Sequence, residues 1–192
     1  MYTVYLLDVD NDMCDAWRAE FKDDDVIDIV NQDFMTFMMQ HQEIDGVVSP
    51  ANSFGIMDGG YDAAITHYFG SELMLKVQQE IRNQFGGVIQ PVGSCIPVHI
   101  HGNGYLLHTP TMLYPSHMID DRVIFQCMYS TMCVANKLDL KYIVVPAFGR
   151  VTGSVENDVV ARMMRIGYEQ ATHIPESISW PDVIRLSAQL NS

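Results

Sequence analysis

The groups best suited to hold a polar ligand fall in two short stretches. The first runs from Val48-Ser49-Pro50-Ala51-Asn52-Ser53 to Gly59-Gly60-Tyr61-Asp62. Glycines at 59 and 60 let the backbone come close to a phosphate, because no Cβ stands in the way. The amide of Asn52 offers both donors and an acceptor to sugar hydroxyls. Asp62 falls in the first turn of the segment that follows, where a helix favours a carboxylate. The same residues also fit a plain turn closed by a helix-starting acid. The second stretch is Pro146-Ala147-Phe148-Gly149-Arg150-Val151-Thr152-Gly153-Ser154. Each stretch leaves a buried-type apolar run at a proline and feeds a helical pattern. In open α/β sheets, ligands bind beyond the carboxyl ends of such strands. Two loops there, each leading to a helix N-terminus, can clamp a diphosphate with backbone N–H groups.

The elements that must position these loops alternate between strand and helix patterns. Strands are expected at residues 2–8 and 26–30, at Gly46-Val47-Val48, on both sides of Gly102-Asn103-Gly104, and at Tyr142–Pro146. The glycine–asparagine–glycine step is a hairpin signal. Helices are expected at Met13–Phe21 with Asn11 as N-cap, Met35–His41, Tyr61–Phe69, Glu72–Gln84, Arg122–Asn136 and Glu156–Ala171. A last helix starts near Ser179 and Pro181. The alternation predicts a three-layer α/β/α sandwich around a central mixed sheet.

The chain has 192 residues, which suits a single domain. A formal net charge of −13 argues against duplex nucleic acid as a partner. It leaves small phosphorylated ligands open, since backbone amides can bind them. No apolar stretch approaches the roughly 20 residues that span a bilayer. The start of the chain lacks a basic region and a small-residue cleavage site, so a cytoplasmic location is expected. Cys14, Cys95, Cys127 and Cys133 show no zinc-like spacing and read as buried thiols. The 13 methionines read as packing. Neither a metal nor a cofactor is expected. His99 and His101 share a strand face without an evident third ligand, and His108 reads as a core histidine. Ser53 and Cys95 have no evident catalytic partner.

The stretch Ser49-Pro50-Ala51-Asn52-Ser53-Phe54-Gly55-Ile56-Met57-Asp58-Gly59-Gly60 resembles the signature of the macro domain family, in the form found in its ADP-ribose 1''-phosphate phosphatase branch. Asn31-Gln32-Asp33, Tyr105–Pro110 and Pro146–Ser154 resemble further family motifs in the same order. The likeness spans roughly residues 2–171 and leaves 172–192 as an atypical C-terminal segment. It implies binding of ADP-ribose or a derivative. Asp33 matches the acid that accepts from the adenine amino group, although a helix-capping role fits it as well. Asn52 matches the asparagine near the distal ribose, and Gly59 and Gly60 match the loop on that side. Gly149, Arg150, Val151, Thr152, Gly153 and Ser154 match the loop around the diphosphate, with Phe148 near the ribose. Asp62 matches the acid that places or activates water in one hydrolase branch, with Asn52 beside it. The resemblance therefore implies hydrolysis at the distal ribose, of ADP-ribose 1''-phosphate first and of ADP-ribosylated macromolecules next. The alternatives are a non-catalytic module that senses or sequesters an ADP-ribose signal, and a fold kept for protein contact.

Three departures bear on that choice. Thr66 stands where the hydrolase branch has histidine, and His67 follows on another side of the helix. Arg150-Val151 replaces a common Thr-Gly pair, which stiffens the loop and offers a cation to an extra phosphate. After Ala171 the chain does not match the family's aromatic-bearing final strand, so no adenine-stacking residue can be named.

Overall fold

In the computed structural model of the chain, the described residues are 2–192 except Asn103, Met118 and Ile119. Among them six strands form one sheet: β1 (Thr3–Asp8), β2 (Ile27–Asn31), β3 (Gly46–Ser49), β4 (Ile96–His99), β5 (Tyr105–His108) and β6 (Tyr142–Pro146). The order across the sheet is β2-β1-β6-β3-β5-β4. The first five in that order run parallel, and β4 pairs antiparallel with β5 at the edge. The sheet is thus mixed, as expected. The hairpin joins β4 to β5, while its central Asn103 lies outside the described residues.

Seven helices accompany the strands: α1 (Asn11–Glu20), α2 (Phe34–Gln40), α3 (Gly60–Phe69), α4 (Glu72–Phe85), α5 (Arg122–Lys137), α6 (Asn157–Thr172) and α7 (Trp180–Leu190). Alternate strand residues point to opposite faces, and the core divides accordingly. Val4, Leu6, Val48, Leu107, Ile143 and Val145 pack under α1, α5 and α6, around Trp17, Met128 and Met164. Tyr5, Leu7, Val47, Leu106 and Val144 pack under α2, α3 and α4, around Phe37, Ile65, Val77 and Ile81. This is the α/β/α sandwich that the strand–helix alternation predicts.

Two local details differ from the sequence reading. Asp10, not Asn11, caps α1; its carboxylate accepts from the amides of Asp12 and Met13. An ionised oxygen at the N-cap outcompetes an amide one residue on, because it also meets the positive end of the helix. Helix α6 begins one residue later than expected, with Glu156 in extended backbone as its cap. The C-terminal segment is helix α7, opened by a capping box between Ser179 and Asp182 with Pro181 in its first turn.

The layer arrangement fixes where a ligand can sit. All five parallel strands end at the same edge of the sheet. The loops after β1, β2, β3, β5 and β6 therefore gather there, and those after β2, β3 and β6 carry Asp33, Asn52 and the stretch at 149–154.

Candidate functional site

A cleft of about 530 Å³ opens along that edge. Its floor and walls come from every parallel strand: Leu7, Asp8 and Val9 after β1, Gln32 and Asp33 after β2, Pro50–Asn52 after β3, Thr111 and Met112 after β5, and Pro146, Ala147 and Gly149–Gly153 after β6. Asp58 to Asp62, at the start of α3, complete it. The volume suits a ligand the size of a nucleotide derivative.

The start of α3 is built to receive an anion. Gly59 occupies the N-cap in extended backbone and supplies no side-chain cap. The first-turn amides are therefore left without a side-chain acceptor, at the positive end of the helix. Gly60 has φ of 53°, a conformation that L side chains adopt at a cost. On the opposite wall, Gly149 has φ of 72°. Gly153 lies so close behind it that a Cβ would come within 2.3 Å of the Gly149 carbonyl oxygen. That close approach folds the second loop back on itself and presents its residues to the cleft.

Asp62 projects from the first turn of α3. Burial raises its carboxyl from the usual 3.8 to about 7, and the Ser49 hydroxyl opposes the shift by donating to Oδ1 at 2.6 Å. A carboxyl poised near neutrality can give or take a proton at working pH. The sequence motif includes Ser49 but assigns it no role of its own. It is fully buried at the end of β3, on the sheet face that α3 covers. The alternation of β3 is the signal that places it there, since Val47 on the same face is core.

Asn52 lines the cleft, but its side chain is largely occupied. Oδ1 accepts from the amides of Phe54 and Ile56, and Nδ2 donates to the Ile56 carbonyl at 2.8 Å. One N–H hydrogen remains for a ligand. Asp33 has the helix-capping role foreseen for it, accepting from the Thr36 amide at 2.9 Å, and it also lines the cleft. Hydrogen bonding from Thr36, through its side chain first and its amide next, lowers the Asp33 pKa.

Three expectations change. Phe148 is fully buried in the core under α1, α5 and α6 and is not among the cleft-lining residues. The chain has left β6 at Pro146 and turns at Phe148, which carries this side chain into the core, and Ala147 and Gly149 flank the cleft instead. Ser154 is exposed, has φ of 57°, and also stands outside the lining. Arg150 lines the cleft, but its guanidinium is not free for an extra phosphate. Nε and Nη2 donate to the two oxygens of Asp8 at 3.2 and 3.0 Å, and Nη1 donates to Asp10 at 2.9 Å.

Thr66, the position of the missing histidine, does not face the cleft. Its hydroxyl lies 2.9 Å from both the Met57 and Asp62 carbonyl oxygens, and it is not among the lining residues. His67 is exposed on α3. His108 is the buried core histidine expected. Its Nδ1 meets Gln90 Oε1 at 2.7 Å, and burial lowers its pKa to about 3, so the ring is neutral. Among the described residues no cluster of three or more potential ligands could hold a metal ion. His99 instead bonds the Gly102 carbonyl oxygen through Nε2.

Parallel strands converge on one cleft with a glycine loop on each side, the place where open α/β sheets bind ligands. Residues 48–164 match the Macro domain family, and the chain belongs to it. The structure is similar to the Oceanobacillus iheyensis macrodomain with ADP, at TM-score 0.59 and 18% identity over 78% of this chain and 84% of that one. It is similar to the Mycobacterium tuberculosis DarG macrodomain, at TM-score 0.57 and 14% identity, covering 67% of this chain and 83% of that one. A Trypanosoma brucei macrodomain in complex with ADP-ribose matches at TM-score 0.54 and 18% identity, over 68% of this chain and 53% of that one. An uncharacterized protein of Aeropyrum pernix is 27% identical over 118 residues, which span 62% of this chain and 60% of that protein. No helix among the described residues is long and apolar enough to cross a membrane.

Proposed function

We propose that the cleft binds ADP-ribose or a close derivative, with its diphosphate between the start of α3 and the loop at 149–153. The observation that carries this reading is the pairing of an uncapped helix N-terminus with a glycine-turned loop across one cleft at the strand ends. Related macrodomains were solved with ADP and with ADP-ribose. In this reading Asp33 accepts from the adenine amino group and the spare Asn52 N–H reaches the distal ribose. The unit that binds is the whole of residues 1–192, in a reducing, cytoplasmic setting that suits its four free thiols.

The same cleft supports hydrolysis at the distal ribose, with ADP-ribose 1''-phosphate as the first substrate and ADP-ribosylated macromolecules as the next. A water held by Asp62 would attack the anomeric carbon of the distal ribose, the carboxylate would take its proton, and the bond from that carbon to the 1''-phosphate oxygen would break to release phosphate. Asp62, raised to about 7, has a basicity matched to that role near neutral pH. A second reading, binding without turnover, draws on Thr66: its hydroxyl ties α3 to the Met57 carbonyl and presents no imidazole to the cleft.

Phosphate release from ADP-ribose 1''-phosphate separates the two. The hydrolase reading expects turnover by the native protein, rising with pH through about 7, and its loss in Asp62→Ala with ADP-ribose binding retained. Tight binding with no phosphate released from the native protein would leave the binding module standing alone.

A further inference from the structure

The cleft poses an electrostatic problem for an anionic ligand. Its lining holds four acids, Asp8, Asp33, Asp58 and Asp62, against the single cation Arg150. That cation is already spoken for. Its planar fork meets both oxygens of Asp8, and its remaining terminal nitrogen meets Asp10. The residues joined are 142 and 140 positions apart in sequence, so the contact ties two distant parts of the chain. Neither end is loose. Asp8 also accepts from the Asp10 amide at 2.9 Å, and Asp10 caps α1 with its other oxygen. The Arg150 side chain is 18% exposed and that of Asp8 only 11%. At that depth an unpaired charge is costly and a paired one is held in place.

The loop that carries Arg150 gains little from its own contacts. Its internal bond runs from the Val155 amide to the Gly149 carbonyl at 3.4 Å. Val151 and Thr152 at its tip are exposed. The guanidinium is thus the main polar tie between this wall of the cleft and the end of β1.

We propose that Arg150 is a positioning residue for the ligand: it latches the loop at 149–153 to Asp8 and Asp10 and offsets the Asp8 charge, so that a diphosphate meets a fixed and less negative wall. The inference rests on the ADP-ribose reading of the cleft and adds to it how an acidic site accepts an anion. Arg150 acts through the carboxylates and the loop, without touching the ligand.

The test compares calorimetric titrations of ADP-ribose into the native protein, Arg150→Gln and the double variant Asp8→Asn/Arg150→Gln. Removing only the cation leaves Asp8 facing the diphosphate, and affinity falls about tenfold or more. Removing the carboxylate as well recovers about threefold or more of that loss through charge, while the missing latch keeps affinity below native; a phosphate-binding arginine would allow no such recovery. A double variant as weak as Arg150→Gln, or an Arg150→Gln protein that binds like the native one, overturns the proposal. Hydrogen exchange on the ligand-free proteins provides a second readout, with faster exchange at 149–155 expected in Arg150→Gln. If the native protein binds no ADP-ribose, the binding reading falls, and this exchange measurement alone decides the latch: unchanged protection refutes it.

Discussion

Asp62→Asn isolates the energetic cost of the candidate catalytic carboxyl. Burial raises its pKa from 3.8 to about 7, so between those values the folded protein keeps a proton that the unfolded chain has released. The stabilisation associated with that proton is complete below about pH 4 and is lost as pH rises towards 7. The slope is about 1.4 kcal/mol per pH unit, so the native protein loses about 3 kcal/mol from this group between pH 5 and 7. Above pH 7 both states are ionised and the loss levels off. Asparagine has nearly the same shape, keeps an acceptor for the Ser49 hydroxyl and does not titrate. The expected result is that Asp62→Asn gains on the native protein as pH rises, by up to about 4 kcal/mol at pH 8. Ser49→Ala removes the one hydrogen bond that favours the ionised form, so its stability continues to fall above pH 7. Urea unfolding at half-unit steps from pH 5 to 8.5 measures all three proteins. Parallel pH curves for native and Asp62→Asn would show that the carboxyl is not held out of water, and the argument for a base tuned near neutrality would fail with it.

Two glycines give further predictions. A Cβ at Gly153 would lie 2.3 Å from the Gly149 carbonyl oxygen, so Gly153→Ala must open the second loop. ADP-ribose affinity should drop about tenfold or more in calorimetry, with only a small change in melting temperature, because the strain falls on an exposed loop. A Cβ at Gly167 would lie 2.6 Å from the Phe125 carbonyl oxygen, where α6 crosses α5. Gly167→Ala should therefore cost about 1–3 kcal/mol in urea unfolding and leave binding by the folded protein unchanged.

The strand–helix alternation was enough to foresee the layers, because period-2 and period-3.6 patterns report directly on which face is buried. The cleft loops were legible for a similar reason: Gly59-Gly60 and Gly149–Gly153 are backbone demands written in residue type. Side-chain direction was harder to read. Phe148 sits inside a loop motif, yet it points into the core because the chain turns there after β6 ends at Pro146. Pairings across long separations left no local trace. Nothing near Arg150 in sequence announces Asp8, and nothing near Asp62 announces Ser49; both contacts exist only because β1, β3 and β6 end, and α3 begins, at one edge of the sheet. Asp10 and Asn11 are both good N-caps, and the choice between them was decided by charge at the start of α1.

Titration of isotope-labelled protein with ADP-ribose, followed by amide NMR, tests the central claim most directly. The account predicts saturable shifts concentrated at Gln32–Phe34, Asn52, Gly59–Asp62 and Gly149–Gly153, on all sides of the cleft. No saturable shifts, or shifts centred away from those residues, would contradict it.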